Sequence, residues 1–340
     1  MLNRKLKQSL KFSLSVTGAA LALCYADAAL AWEPTKPVEM VVPFGPGGAT
    51  DQMARSVQGI IAKHGFMKQP IIVQNKAGAS GAEGLLDVKA SAGDAHKLLV
   101  NSSGMFTTPM ATNLPFNWRD LTPVAVVGLD EFVLWVNSES PYKSVSEFLA
   151  EAKKAPGKIK MGGTSSKRED NIITAMVEKK AGVKFTYIPY KSGGEAATQL
   201  SGKHIDSNTN NPSESVGQWR AGQHRALCVF APERMSYKQK VTDKQSWNDI
   251  PTCKEQGLDV QYQMIRVFML PGNVPADVQK FYADLMQKVV ATPEWKQYIE
   301  KNALKSNFIA GEPLRQYLAK DEQSHREIMK EAGFLATAAK

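Results

Sequence analysis

Two glycine-rich segments hold the residues best suited to chemistry: Pro43-Phe44-Gly45-Pro46-Gly47-Gly48-Ala49-Thr50-Asp51 and Met161-Gly162-Gly163-Thr164-Ser165-Ser166-Lys167. Each follows an apolar run and precedes an amphipathic stretch. A small-residue loop that opens a helix presents unpaired backbone N–H groups and the positive end of the helix dipole. It therefore holds an anion without needing a charged side chain. Two such loops in one chain predict two lobes gripping one anionic ligand. That is the chemistry of binding rather than of bond breaking.

Other chemistries are excluded by what stands at the decisive positions. A dinucleotide fingerprint in the first loop needs a glycine where Thr50 stands, and a P-loop needs a lysine after Gly48. His64, His96, His204, His224 and His325 are scattered, with no pair four apart and no cysteine at ligand spacing, so neither a metal site nor a cofactor is expected. There is no G-x-S-x-G nucleophile elbow. Asp51, at a helix start, reads as a capping residue, and no pair of carboxylates is singled out as an acid/base couple. The formal net charge of +9 suits an anionic ligand, yet the basic residues form no long run, so no nucleic-acid partner is expected.

The elements that must carry these loops alternate. Val38–Val42 reads as a buried strand before the first loop. The helix that follows, Thr50 to His64, has Met53, Val57, Ile60 and Ile61 on one face and Gly65 as its stop. Strands are predicted at Ile71–Gln74 and Lys97–Asn101, with Gly78–Gly81 opening another helix. Val124–Val127 and Phe132–Val136 read as strands, the second leading out of the lobe. Alternation restarts with a helix over Val145–Lys154, a strand over Lys158–Met161, the second loop and a helix over Arg168–Ala181. Further strands are expected at Phe185–Pro189, Ile205–Thr209 and Ala226–Phe230, a helix at Glu195–Ser201, and a largely helical tail from Asp277 to Gly333. This is an α/β pattern of two lobes joined by two crossings, with ligand binding expected outside the carboxyl ends of the strands. The expected division is 32–136 plus 228–340 for the first lobe and 137–227 for the second.

Residues 1–31 read as a secretory signal: a basic start (Arg4, Lys5, Lys7, Lys11), an apolar stretch around Leu14–Ala26, and a small-residue cleavage site at Ala29-Leu30-Ala31. Export brings an oxidising compartment, where Cys228 and Cys253 either pair or remain two buried thiols; spacing leaves both open.

The same residues carry a family likeness. Val42-Pro43-Phe44-Gly45-Pro46-Gly47-Gly48, followed by Asp51 and Ala54-Arg55, resembles the opening motif of the receptors of tripartite tricarboxylate transporters, the Bug or TctC type. Asn75–Gly84, Phe116–Val124, Tyr190–Gly194, Asn210–Glu214 and Arg220-Ala221-Gly222 resemble further motifs of that family, in order along the chain. The resemblance implies a two-lobed, class II periplasmic binding fold (a Venus flytrap) that closes on a small carboxylate.

Carried over residue by residue, that resemblance implies first-lobe contacts from Phe44, Gly47, Gly48 and Ser103, and second-lobe contacts from Gly163, Thr164, Ser165 and Ser166. Asn210 is a further candidate. Glu169-Asp170 stand where the family often has a His-Leu pair. Lys167 or Arg168 could meet a second carboxylate, although a solvated helix start is the commoner outcome. Arg266, set between apolar neighbours, needs an anionic partner: the ligand or a structural carboxylate. Phe44, on its loop, is expected to be exposed.

The resulting expectation is a monomeric periplasmic receptor that delivers a di- or tricarboxylate, citrate-like or aromatic such as terephthalate, to a membrane permease. The competing reading is a secreted α/β hydrolase or transferase using the loops as oxyanion or phosphate sites, with Ser165 or Ser166 as nucleophile.

Overall fold

The computed structural model describes residues 32–337; the expected signal segment, 1–31, lies outside them. Two sheets organise the chain. In the first, β1 (Val38–Val42) is flanked in parallel by β2 (Ile71–Asn75) and β3 (Lys97–Asn101). β10 (Gln263–Pro271) then runs antiparallel between β3 and β4 (Leu121–Glu131), and β11 (Lys305–Ala310) closes the edge. In the second, β6 (Lys160–Thr164) lies parallel to β7 (Thr186–Tyr190) and β8 (Ser207–Asn210), and β5 (Val133–Asn137) runs antiparallel between β8 and β9 (His224–Val229). β1 and β3 are almost wholly buried, as strands covered by helices on both faces must be.

Helices follow the strands as the sequence pattern requires. α1 (Ala49–His64) buries Met53, Val57, Ile60 and Ile61 and ends on Gly65 in the left-handed conformation (φ 60°). α2 (Ala82–Ala90) and α3 (Gly104–Thr112) complete the first half of that lobe. α4 (Val145–Lys154), α5 (Glu169–Ala181), α6 (Gly193–Ser201) and α7 (Pro212–Arg220) build the second. The tail is largely helical as expected, with α8 (Ala276–Ala291), α9 (Pro293–Lys301) and α10 (Glu312–Glu331), and β11 lies between the last two. The edge of β4 is free to take that strand, and pairing satisfies backbone groups on both.

The sheets part at Phe132 and Phe230. The Phe230 N–H donates to the Phe132 carbonyl (2.8 Å), and the Tyr262 N–H to the Phe230 carbonyl (2.8 Å), so the crossing segments lie side by side. The ring of Phe132 meets that of Tyr262 edge-on at 5.6 Å. Residues 133–136 and 228–229, expected on the first-lobe side, pair within the second sheet, where β5 and β9 hydrogen-bond to each other.

Cys228 and Cys253 are joined as a disulfide, which pins the long 230–262 connection to the end of β9. Behind β5, Trp135, Trp219 and Trp247 pack together, Trp219 and Trp247 with ring centroids 4.8 Å apart. Among the described residues no helix is long and apolar enough to cross a membrane.

Candidate functional site

The first glycine loop lies at the carboxyl end of β1 and leads into α1, with Gly47 in the left-handed region (φ 78°). Its amides are engaged within the protein. The Gly45 N–H donates to the Lys191 carbonyl (3.0 Å), the Gly47 N–H to Asp51 Oδ2 (3.0 Å) and the Ala49 N–H to Glu214 Oε1 (2.9 Å). Lys191 and Glu214 belong to the second lobe, so the loop is docked across the cleft. A side chain at Gly194 would come within 2.6 Å of the Gly47 carbonyl, which explains a glycine on the facing surface. Asp51 sits in the first turn of α1. Burial works against its charge, but hydrogen bonds from Arg55, the Gly47 amide and Asn75 outweigh it and hold the carboxyl below its ordinary value.

The second loop has its own internal carboxylate. Asp170, in the first turn of α5, folds back to accept the Thr164 N–H (3.0 Å), and a side chain at Gly163 would strike it. The Ser165 N–H donates to the Tyr190 carbonyl (2.8 Å) and the Lys167 N–H to Asn171 Oδ1 (2.9 Å). Ser166 is exposed, and Ser165 and Lys167 are half-buried.

Arg168 departs most from expectation. It is buried, not a solvated helix start, and crosses into the first lobe. Its guanidinium carbon lies 4.1 Å over the ring of Phe44, which is thereby covered rather than exposed. Nη1 donates to the Ser80 carbonyl (3.2 Å), Nη2 to Ser102 Oγ (3.4 Å), and Nε stands 3.4 Å from Glu169 Oε2. Gly104 makes the room, since any Cβ there would collide with the guanidinium. Glu169 also accepts from the Ser102 hydroxyl (2.7 Å). Burial opposes its charge, and Arg168 with Ser102 more than compensates, so its carboxyl sits below the ordinary value.

Arg266 resolves its two expected partners in favour of a structural one. Nε (2.9 Å) and Nη2 both reach Asp130 Oδ2, Nη1 donates to Thr50 Oγ1 (2.6 Å), and Nη2 also meets Asn211 Oδ1 (3.2 Å). Burial disfavours its charge, and the Asp130 carboxylate holds the guanidinium protonated.

Between the lobes these groups enclose a cavity of about 20 Å³, room for one water-sized group. Of the predicted contacts, Phe44, Gly48, Thr164 and Arg266 line it. Gly47, Gly163, Ser165, Ser166, Lys167, Ser103 and Asn210 are not on its wall. Ser103 is buried at the head of α3 with its hydroxyl unpartnered, and Asn210 donates to the Gly193 carbonyl (2.6 Å). Sequence reasoning missed Glu169, Asp170, Asn211 and Glu214 as wall residues. The usable signal was the acidic pair Glu169-Asp170 at the start of α5. Burial raises Glu214 to about 7; burial, and then the charge of Glu214, push Asp170 well above its ordinary value.

Against this geometry, the family model for tripartite tricarboxylate transporter family receptors, TctC, matches residues 53–334. The chain belongs to that family. Among TctC relatives, BugT of Bordetella pertussis is 31% identical over 211 residues, covering 60% of this chain and 63% of its own length. The UPF0065 protein in the gbd 5′ region of Cupriavidus necator is 26% identical and covers 88% of each chain. Solved structures share the two-lobed periplasmic binding fold. That of BugD is 24% identical, with a TM-score of 0.81, covering 89% of this chain and 100% of its own. Rpa4515 of R. palustris with adipate (20% identical, TM-score 0.81, 88% and 98% covered) shows the same fold. So does MatC of Rhodopseudomonas palustris with bound malate (22%, TM-score 0.76, 87% and 99% covered). The family is one of receptors rather than enzymes.

Proposed function

We propose that this chain is a periplasmic solute-binding receptor that captures a small carboxylate between its lobes and hands it to a tripartite tricarboxylate transporter permease. The lobes of this reading are residues 32–131 with 263–337, and residues 133–229. The observation that carries it is the convergence of both glycine loops, at the carboxyl ends of β1 and β6, on one buried polar cavity. Membership of the TctC family supports the permease as partner, and adipate and malate in neighbours of the same fold support a small carboxylate as cargo.

The mechanism is hinge closure about Phe132 and Phe230. Ligand contacts drawn from both lobes stabilise the closed state over the open one. Phe44, Gly48, Thr164, Glu169, Asp170 and Asn211 are the proposed walls. The hydrolase reading gains nothing here: Ser166 is exposed, and no histidine lines the cavity among the described residues.

Thermal unfolding against a panel of carboxylates, amino acids, sugars and phosphate esters tests the proposal. A ligand at 100 times its dissociation constant adds ~2.7 kcal/mol and moves the midpoint by several degrees. A shift confined to one class of small carboxylate is expected. A response to phosphate esters alone, or ester turnover abolished by Ser165→Ala and Ser166→Ala, overturns it.

A further inference from the structure

Successive residues of a strand point to opposite faces, and at the hinge the two faces carry two cavities. Phe132 and Met264 line the cavity in the cleft. Their chain neighbours Glu131 and Gln263 line another, of about 100 Å³. Glu131 and Gln263 are partners in the β4–β10 register, and Gln263 Nε2 donates to Glu131 Oε1 (2.7 Å). The remaining walls are residues 231–237 of the long connection, Ala303, and Lys305 at the start of β11. The two cavities share no lining residue, so the second is separate from the cleft site.

Glu131 is the buried acid of this second cavity, 5% exposed, and its Oε2 has no hydrogen-bond partner among the described residues. A carboxylate withdrawn from water without a full set of donors is costly until a proton or a cation joins it. A metal ion fits poorly. Hard cations want six or more oxygen ligands, and among the described residues no three His, Cys, Asp or Glu side chains are placed to hold one. Met235 and Ala303, both buried, give the same cavity apolar wall. We infer that it is a second ligand site, which takes a small primary alkylammonium with its charged end on Glu131 and its carbon chain along Met235 and Ala303. An ammonium brings three donors and no acceptor to a wall whose buried ionisable group is an acceptor. At about 100 Å³, against the roughly 150 Å³ that holds a benzene ring, the cavity suits a chain of about three carbons.

The other charges around Glu131 are accounted for. Asp130, its neighbour in β4, is paired with Arg266, and Arg234 donates to both oxygens of Glu255 (3.0 Å each). The Tyr237 hydroxyl donates to the Leu304 carbonyl (2.6 Å). Glu233 and Lys305 are exposed at the mouth, where Lys305 opposes a second cation. Burial raises Glu131 to about 7, so the ammonium displaces a proton when it docks at lower pH.

Calorimetric titration of the purified chain with propylammonium chloride, in a buffer free of amines, tests the site. Propanol controls for the carbon chain and sodium chloride for the salt. Saturable binding of propylammonium and of neither control is expected, about tenfold weaker near about pH 6 than near about pH 8. Glu131→Gln should abolish it. Lys305→Gln, a change at an exposed position, should tighten it at least about twofold by removing the opposing charge. The pH pair and the Lys305 variant decide the matter even if Glu131→Gln fails to fold. No saturable binding at either pH, equal binding of propanol, undiminished binding by a folded Glu131→Gln chain, or weaker binding by Lys305→Gln overturns the site. Each of these outcomes leaves the receptor reading untouched, because the probe carries no carboxylate and the cavity lies outside the cleft.

Discussion

Glu214 of the second lobe accepts the backbone N–H of Ala49, at the start of α1 in the first lobe, at 2.9 Å across 165 residues of sequence. A carboxylate of the protein itself thus occupies the anion position that the first glycine loop creates. The same carboxylate accepts the Asn211 amide (3.2 Å) at the head of α7. It caps α7 through Asn211 and bridges to α1 through Ala49, and it is the Ala49 contact that ties the two lobes together.

Glu214→Ala should therefore leave two buried amides without an acceptor. The expected cost is about 1–3 kcal/mol in stability, with a shift of the ligand-free protein toward a more open form. Small-angle scattering and the melting temperature read the two effects. An unchanged radius of gyration together with an unchanged melting temperature would contradict the bridging role.

The pH dependence has a definite sign. Glu214 and Glu131 are both raised by burial from 4.5 to about 7, so between those values the folded protein holds protons that the unfolded chain has lost. Their contribution to stability falls as pH rises through that window, on the order of 3 kcal/mol per group if fully expressed. His224 acts oppositely: burial lowers it from 6.5 to about 4, and stability rises over that interval. The two carboxyls prevail, most steeply where His224 has finished titrating. Ligand-free protein should melt at a higher temperature near about pH 5 than near about pH 7.5. Glu214→Gln should flatten the profile; a midpoint that climbs across that range contradicts the assignment.

Gly104 and Arg168 form a lock between the lobes. Gly104→Ala should displace the guanidinium and cost about 1–3 kcal/mol by overpacking. The same substitution in an Arg168→Ala background should cost far less, because the clash has gone. A double-mutant cycle on urea midpoints measures the coupling, and additive effects would show that the two residues do not act together.

Reducing the Cys228–Cys253 disulfide, or replacing both cysteines by serine, releases a loop with a sequence separation of 25. A loss of about 3 kcal/mol is expected from the regained freedom of the unfolded chain. Equal melting temperatures with and without reductant would indicate that the 230–262 connection is held by its packing alone.

The sequence by itself determined what depends on neighbours along the chain. The spacing of Met53, Val57, Ile60 and Ile61 makes α1, Gly65 ends it, and Gly47 permits the loop that opens at the end of β1. These are local properties of backbone and periodicity, so they were legible, as was the two-lobed α/β plan. Tertiary structure alone decided which loop amides are already satisfied, because their partners, Lys191 and Glu214, come from the far lobe. It likewise buried Arg168: a guanidinium two residues past a serine pair has no sign of burial until Phe44, Ser80 and Gly104 close around it. Arg266 found Asp130 for the same reason, and β11 interrupted the helical tail because β4 offered an open edge. The charge balance of the cleft, which bears on what it can hold, is a sum over groups that spacing never brings together.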